Sequence, residues 1–160
     1  MPDGESREFI PAFFVDVVQK GGTFPRGEWP PHLTLFPPLL APYHNYYGDT
    51  MRSVVNTLSP FDVTVGEADL FGPDHNVPVK RIEESPRLRV IHEALVKTLA
   101  RLMHDPTYRQ PYNPHITVVP GMTLATGDTV HVGGFSVVEK DSGIWTVVDK
   151  IGFMGGSNVE

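Results

Sequence analysis

The chain carries one short motif twice, as PHLTLFP at residues 31–37 and as PHITVVP at residues 114–120. Both copies follow the frame Pro-His-apolar-Thr-apolar-apolar-Pro, and every position of the frame agrees. Such agreement between two distant segments of one chain indicates duplication or shared selection. The two copies are therefore best explained together, as parts of one arrangement.

The alternation of side chains along a strand predicts how each copy divides its residues. In an extended segment the histidine and the threonine project from one face, roughly 6 to 7 Å apart, and the apolar residues project from the other. An unpaired buried polar group costs about 1 to 3 kcal/mol, so we expect something polar to occupy the histidine face. If the two strands lie side by side, related by an approximate two-fold axis, their polar faces form one groove with two histidines and two threonines.

This set of side chains suits displacement at phosphorus. Two imidazoles, whose ordinary pKa is near 6.5, can hold opposite protonation states at neutral pH, so that one accepts a proton while the other gives one. Two hydroxyls can donate hydrogen bonds to the nonbridging oxygens. A phosphodiester with an internal or vicinal hydroxyl fits such chemistry, which requires neither a metal nor another cofactor. The near symmetry of the repeat leaves open which histidine is the base.

The rest of the chain predicts one α+β domain over residues 1–160. Strands are predicted at residues 8–18, 32–36, 61–66, 77–83, 115–119, 130–139 and 144–154. Helices are predicted at residues 46–58 and 85–104, the second with Ser85 as its N-cap and Pro86 at its first position. The proline- and glycine-rich stretches 20–31 and 37–42 are predicted to be loops and breakers.

Composition excludes several other classes of protein. The chain has 160 residues, 40% of them hydrophobic and 20% charged, which is typical of a globular domain. It has no cysteine, which excludes disulfides, thiolate metal sites and thiol nucleophiles. Its formal net charge of −6 disfavours long nucleic acid as a partner. No apolar run approaches the roughly 20 residues of a membrane span, and the first residues do not resemble a signal peptide, so we expect a cytoplasmic protein. We also expect a monomer.

The doubled motif resembles that of the two-histidine (2H) phosphoesterase superfamily, which includes 2′-5′ RNA ligase-like proteins and 2′,3′-cyclic nucleotide phosphodiesterases. The resemblance implies a bilobal, pseudo-two-fold α+β fold with central antiparallel or mixed sheets, two main helices outside and a central cleft. It also implies that His32 and His115 are the acid–base pair and that Thr34 and Thr117 bind the phosphate.

The sequence departs from the ligase-like pattern after each motif. Phe36-Pro37-Pro38-Leu39 replaces a short apolar-Gly turn, and Val119-Pro120-Gly121 lacks the basic residue that is common there. Together with the acidic charge, these departures favour a nucleotide or short oligonucleotide over an RNA end as the substrate.

Further substrate contacts are predicted near the motifs. Tyr112 and Phe36 are candidates to stack on a nucleobase, and Arg109 is the preferred candidate to meet a second phosphate, with Lys80, Arg81 and Lys150 as alternatives. The remaining histidines show no spacing typical of a metal site, so no metal is expected. His92 is expected to pack or to lie at the surface, and His44, His75 and His131 to be solvated.

The predicted function is that of a metal-independent phosphodiesterase acting on a 2′,3′-cyclic phosphate, a 2′-5′ linkage or a cyclic oligonucleotide. One alternative is a phage-type enzyme that degrades cyclic oligonucleotide signals of bacterial immunity. Another is a sensor or sequestering module that binds a nucleotide in the same cleft without turnover. Formation of product from a panel of such substrates distinguishes the enzymes from the sensor.

Overall fold

The computed structural model describes residues 7–16, 18–25, 28–36, 39–41, 48–56, 58–99, 113–141 and 143–153. The strands are β1 (Arg7–Phe14), β2 (Thr23–Pro25), β3 (His32–Thr34), β4 (Leu39–Ala41), β5 (Phe61–Phe71), β6 (Val77–Ile82), β7 (His115–Thr117), β8 (Thr129–Val132), β9 (Gly134–Asp141) and β10 (Ile144–Gly152). The helices are α1 (Gly48–Val55) and α2 (Pro86–Leu99). Neither described helix is long and apolar enough to cross a membrane.

The described strands form one antiparallel sheet in the order β2-β10-β9-β1-β3-β7-β6-β5-β8, and β4 pairs with the first half of β1. The two motif strands, β3 and β7, are neighbours at the middle of this order. β1 flanks β3, and β6 flanks β7, each in antiparallel register. The predicted α+β class is confirmed, and the sheet around the motifs is antiparallel.

The two faces of the central sheet carry different clusters. The larger apolar core lies on the face of Leu33 and Ile116 and includes the buried residues of both helices. A smaller cluster lies on the opposite face, beside β1. Its buried members are Ala12, Phe14, Phe24, Val138, Trp145 and Val147. The motif histidines share a face with this smaller cluster, because Phe14 and His32 are register partners.

Helix α2 begins as its sequence predicts. The Leu88 backbone N–H donates to the Ser85 hydroxyl at 3.2 Å, so that Ser85 caps the helix. The apolar stripe of the helix is buried at Leu88, Ile91, Leu95 and Leu99. The predicted end of this helix, at residues 100–104, lies outside the described residues.

Several predicted strands have other bounds in the structure, and β5, for example, runs to Phe71 instead of residue 66. Two further differences have a local cause. The first ends at Phe14 instead of residue 18, and the neighbouring residues Pro30 and Pro31 have no backbone N–H with which to extend the pairing. The stretch predicted as one strand at residues 130–139 is two, β8 on β5 and β9 between β1 and β10. The break falls at Gly133, next to a position where a side chain cannot fit, since a Cβ at Gly134 would clash with the Ile151 carbonyl oxygen.

Two short strands lie in segments whose composition predicts irregular structure. β2 pairs with β10, and β4 pairs with β1. Pattern analysis does not predict these strands because of their prolines: Pro25 ends β2, and Pro38 and Pro42 precede and follow β4 in the sequence. Proline is typical of breakers and of strand ends.

His92 ties helix α2 to the end of the first motif. The side chain is 1% exposed, and its Nδ1 donates to the Leu35 carbonyl oxygen at 3.0 Å. Burial lowers the pKa of His92, although the Leu35 hydrogen bond and the nearby Glu93 act in the opposite direction. The helix therefore fixes the chain directly after Thr34 through a histidine that is neutral at physiological pH.

We expect acid to destabilise the protein partly through His92. The unfolded chain binds a proton near the ordinary histidine pKa of 6.5, but the folded protein resists it until a lower pH. The contribution to stability is therefore complete above about pH 6.5 and is lost as the pH falls through the folded pKa. His92→Asn, whose amide can still donate to Leu35, should make the melting temperature less dependent on pH between about 7.5 and 5. An unchanged pH dependence in this variant would contradict the expectation.

Candidate active site

The two motifs meet through one pairing between β3 and β7. Leu33 and Ile116 are antiparallel partners, and both are 1% exposed on the core face. This register sets His32 opposite Thr117 and Thr34 opposite His115, on the other face of the sheet. Directly opposite side chains of such strands have Cβ atoms about 4.5 to 5.5 Å apart. Both imidazoles and both hydroxyls thus share one patch, and all four side chains are partly exposed.

Each imidazole is held by the same kind of hydrogen bond. His32 Nδ1 donates to the Pro30 carbonyl oxygen at 2.9 Å, and His115 Nδ1 donates to the Asn113 carbonyl oxygen at 2.8 Å. A carbonyl oxygen can only accept, so in each ring the neutral tautomer carries its proton on Nδ1. The Nε2 atom of each ring is left to exchange a proton with a ligand.

The prolines before the histidines explain how these hydrogen bonds are formed. The Val15 N–H donates to the Pro31 carbonyl at 3.0 Å, and the Ile82 N–H donates to the Pro114 carbonyl at 3.1 Å. Each proline is thereby attached to its flanking strand and fixes the backbone φ just before the histidine. The shared frame of the repeat thus positions the two rings through equivalent backbone contacts.

Aromatic side chains surround His32. The centroid of the Trp29 ring lies 4.6 Å from that of His32, and the Phe14 centroid lies 5.6 Å away. Trp29 also stacks on Phe14 at 5.8 Å and meets the edge of Trp145 at 5.0 Å. This aromatic enclosure, formed by Phe14, Trp29 and Trp145, removes water from one side of the imidazole.

Burial lowers the pKa of His32, and the nearby His115 lowers it further, against the opposing effect of the Pro30 hydrogen bond. A lowered pKa means that the neutral imidazole predominates at neutral pH. The electrostatic effect of His115 on His32 agrees with the placement of the two rings on one face of the sheet.

His115 lies in different surroundings. The Phe71 ring meets it edge-on, with centroids 4.6 Å apart. Arg81 is the register partner of His115 on β6, and its guanidinium lies 5.8 Å from the centroid of the same Phe71 ring. Arg81 also forms an ion pair with Asp69 at 2.9 Å. One histidine is therefore enclosed by rings, and the other stands beside charged groups.

The structure contradicts one of the further substrate contacts predicted from sequence and does not describe the other two residues. The prediction for Phe36 is wrong, because its side chain is 1% exposed and packs in the larger core, 6.4 Å from the His92 ring centroid. It occupies an apolar position of the frame that faces the helices. Tyr112 and Arg109 lie outside the described residues.

The alternative basic residues divide between the faces of the sheet. Lys80 is the register partner of Ile116 and so lies on the face opposite the histidines, where its Nζ donates to Thr126. Lys150 lies three strands from β3, and its Nζ donates to the Val18 carbonyl at 2.8 Å. Arg81 is the one of these three that adjoins a motif histidine.

Sequence analysis missed Trp29 and Phe71. Trp29 stands three residues before His32, at the offset that Tyr112 has from His115. Extending the repeat by three residues would have found it, as WPPH beside YNPH. No comparable signal marks Phe71, which reaches His115 only because β5 and β6 form a hairpin next to β7.

Other features of the described residues are less directly connected to the motifs. A cavity of about 390 Å³ adjoins the aromatic enclosure at Phe14, at the end of β1. Within the described ranges, no group of three or more His, Cys, Asp and Glu side chains could hold a metal ion. His131 is 68% exposed and pairs with Asp62 at 2.8 Å, and His75 is exposed in a turn, which agrees with their prediction as solvated residues.

Residues 12–133 match the 2′-5′ RNA ligase superfamily, a segment that includes both motifs, the whole of β6 and the last three residues of β1. The chain belongs to this superfamily. A curated relative from Bacillus cytotoxicus, named "Putative phosphoesterase Bcer98_0945", is 31% identical over 98 residues, which are 60% of this chain. The match spans 55% of the length of that relative.

Solved structures with the same fold cover nearly the whole chain. TT0787 of Thermus thermophilus has a TM-score of 0.62 and 22% identity, over 93% of this chain and 99% of that one. E. coli LigT complexed with 3′-AMP has a TM-score of 0.61 and 16% identity, also over 93% and 99%. At these identities the likeness establishes the superfamily fold and nothing finer.

We expect Trp29 to account for much of the burial that lowers the pKa of His32. In Trp29→Ala, water should reach the imidazole and the pKa of His32 should rise toward its ordinary value, as measured by NMR titration of the ring protons. Phe71→Ala, which removes the ring beside His115 instead, is the matched control and should leave the His32 titration nearly unchanged. A His32 pKa that stays low in folded Trp29→Ala would contradict this role.

Proposed function

We propose that the protein is a metal-independent phosphodiesterase that cleaves a nucleotide-derived phosphodiester with His32 and His115 as its acid–base pair. The observation that carries the proposal is the pairing of Leu33 with Ile116, which brings both motifs to one face of the sheet. The matching Nδ1 hydrogen bonds support it, since each leaves an Nε2 atom for proton exchange.

The asymmetry between the two rings favours His32 as the general base. Burial disfavours the cationic form of His32, so at neutral pH its Nε2 is unprotonated and can take the proton of an attacking water or ribose hydroxyl. His115, in the more open half of the site, would then protonate the leaving oxygen. One P–O bond forms and one ester P–O bond breaks, with one proton accepted and one delivered.

Thr34 and Thr117 are proposed to bind the phosphate between the two rings. In the register of β3 and β7 each threonine lies opposite a histidine of the other strand. Their hydroxyls can donate to the nonbridging oxygens, whose negative charge must be stabilised as the fifth bond to phosphorus forms. The four side chains then provide one proton acceptor, one proton donor and two hydroxyl donors around a single phosphate.

Small nucleotides and short oligonucleotides are the proposed ligands. The related LigT of E. coli has been crystallised with 3′-AMP, NADP+ and ATP, which supports a nucleotide ligand in this fold. The net charge of −6 disfavours contact with a long polyanion. The substrate class therefore remains a 2′,3′-cyclic phosphate, a 2′-5′ linkage or a cyclic oligonucleotide.

We expect loss of either histidine to abolish most turnover. His32→Ala and His115→Ala should each lower kcat by about 10² to 10⁴, because each removes one proton transfer. The reactions would be run in EDTA with cyclic mononucleotides, 2′-5′ oligoadenylate and cyclic di- and trinucleotides. Their products would be separated by chromatography. Thr34→Ala and Thr117→Ala should lose less, and Thr→Ser at either site should keep most of the activity.

His75→Asn is the matched control for these variants. It removes an exposed histidine in a turn whose φ of 52° asparagine tolerates well. Its activity should equal that of the unmodified protein. Full turnover by both histidine-to-alanine variants would refute the mechanism, and saturable binding without product from any substrate would support the sensor instead.

The pH profile tests the assignment of His32 as base. kcat/KM should fall on the acid side as His32 becomes protonated, and the midpoint of that fall should lie below about pH 6.5 because burial lowers the pKa of His32. In Trp29→Ala the acid limb should move to higher pH. An acid limb that does not move, although the NMR titration of His32 does, would assign the base role to another group.

A further inference from the structure

The approximate two-fold relation of the motifs allows the residues around them to be compared position by position. The residue opposite Thr34 on β1 is Ala12, and the residue opposite Thr117 on β6 is Val79, so the two threonines have small or β-branched apolar neighbours. The register partner of His32 on β1 is Phe14. At the equivalent position on β6, the register partner of His115 is Arg81.

Arg81 is placed on the same face as His115 and not merely next to it in sheet order. Both side chains contact the Phe71 ring, His115 edge-on with centroids 4.6 Å apart and the Arg81 guanidinium at 5.8 Å from the centroid. The Arg81 side chain is 49% exposed, so a ligand can reach it. Its position is therefore beside the proposed phosphate site and open to solvent.

The ion pair with Asp69 holds the Arg81 guanidinium but involves only part of its N–H groups. The hydrogen bond joins Arg81 Nη1 to Asp69 Oδ2 at 2.9 Å. A guanidinium has five N–H donors in a planar fork, which suits the oxygens of a phosphate. An exposed ion pair adds little to stability, so the pair is better explained as a means of positioning the arginine.

We propose that Arg81 binds a second phosphate of the substrate, carried by the nucleoside that leaves on the His115 side. The inference rests on the proposed function, in which His115 protonates the leaving oxygen. It narrows the substrate class to a phosphodiester whose leaving nucleoside bears another phosphate, as in an oligonucleotide, and disfavours an isolated cyclic mononucleotide. The three side chains that form the aromatic enclosure at His32 are uncharged, so we expect them to add nothing to the binding of a phosphate on the other nucleoside.

Three dinucleotides test this assignment on the full-length protein. They are 2′-5′-linked diadenosine without a terminal phosphate, the same compound with a phosphate on the leaving nucleoside, and the same compound with a phosphate on the other nucleoside. We expect kcat/KM to be about tenfold higher for the leaving-side phosphate than for the unmodified compound, since a charge-assisted contact to arginine is gained. The phosphate on the other nucleoside should give no comparable gain.

Arg81→Gln should abolish the tenfold preference between the first two compounds. Arg87→Gln is the matched control, because the Arg87 guanidinium also lies over an aromatic ring, 5.6 Å from the Phe61 centroid, but Arg87 belongs to α2 and lines a different cavity, beside Ser59. It should preserve the preference. Equal kcat/KM for the first two compounds, a preference that survives in Arg81→Gln, or a gain confined to the other nucleoside would overturn the inference.

Failure of the proposed function would give a result different from failure of the Arg81 inference. No product from any of the three compounds would count against catalysis on 2′-5′ linkages, and calorimetry with the leaving-side phosphorylated dinucleotide would then test Arg81 by itself. About tenfold weaker binding to Arg81→Gln than to the unmodified protein would support the subsite, and equal binding would refute it.

Discussion

The antiparallel pairing of Leu33 with Ile116 is the contact on which the site depends. Because these two residues face the core, their neighbours must face the other way, and the register sets each histidine opposite the other motif's threonine. A slip of one residue would turn one motif's polar side chains into the core. The apolar core on one face therefore specifies the polar patch on the other.

Backbone contacts repeat across the approximate two-fold axis, but side-chain surroundings do not. Each imidazole is anchored to a carbonyl two residues before it, and each preceding proline is bound to its flanking strand. On the flanking strands, however, the register partner of His32 is Phe14 on β1, and that of His115 is Arg81 on β6. Duplication or shared selection explains the shared scaffold, and different residues at the flanking positions make the two halves chemically different.

The sequence predicts much of the site because the repeat and the strand period act locally. The alternation within each copy determines which side chains share a face, and the apolar stripe and Ser85 cap predict α2. Phe36 was misassigned because nearness in sequence to His32 does not reveal that its side chain points toward the helices. Phe71 could not be found, because its contact with His115 depends on sheet order, which sequence patterns do not encode.

The asymmetry of the halves matches a requirement of the chemistry. In-line displacement at phosphorus removes a proton on one side and delivers one on the other, so two identical imidazoles in identical surroundings would have no preferred direction. Enclosure by Trp29 and Phe14 favours the neutral form of His32, which is the form that its proposed role as the base requires. The half of the site around His115 includes Arg81, which is paired with Asp69 and suits a leaving group that carries a negative charge. A repeated scaffold thus supplies the geometry, and a few flanking side chains give the proposed reaction its direction.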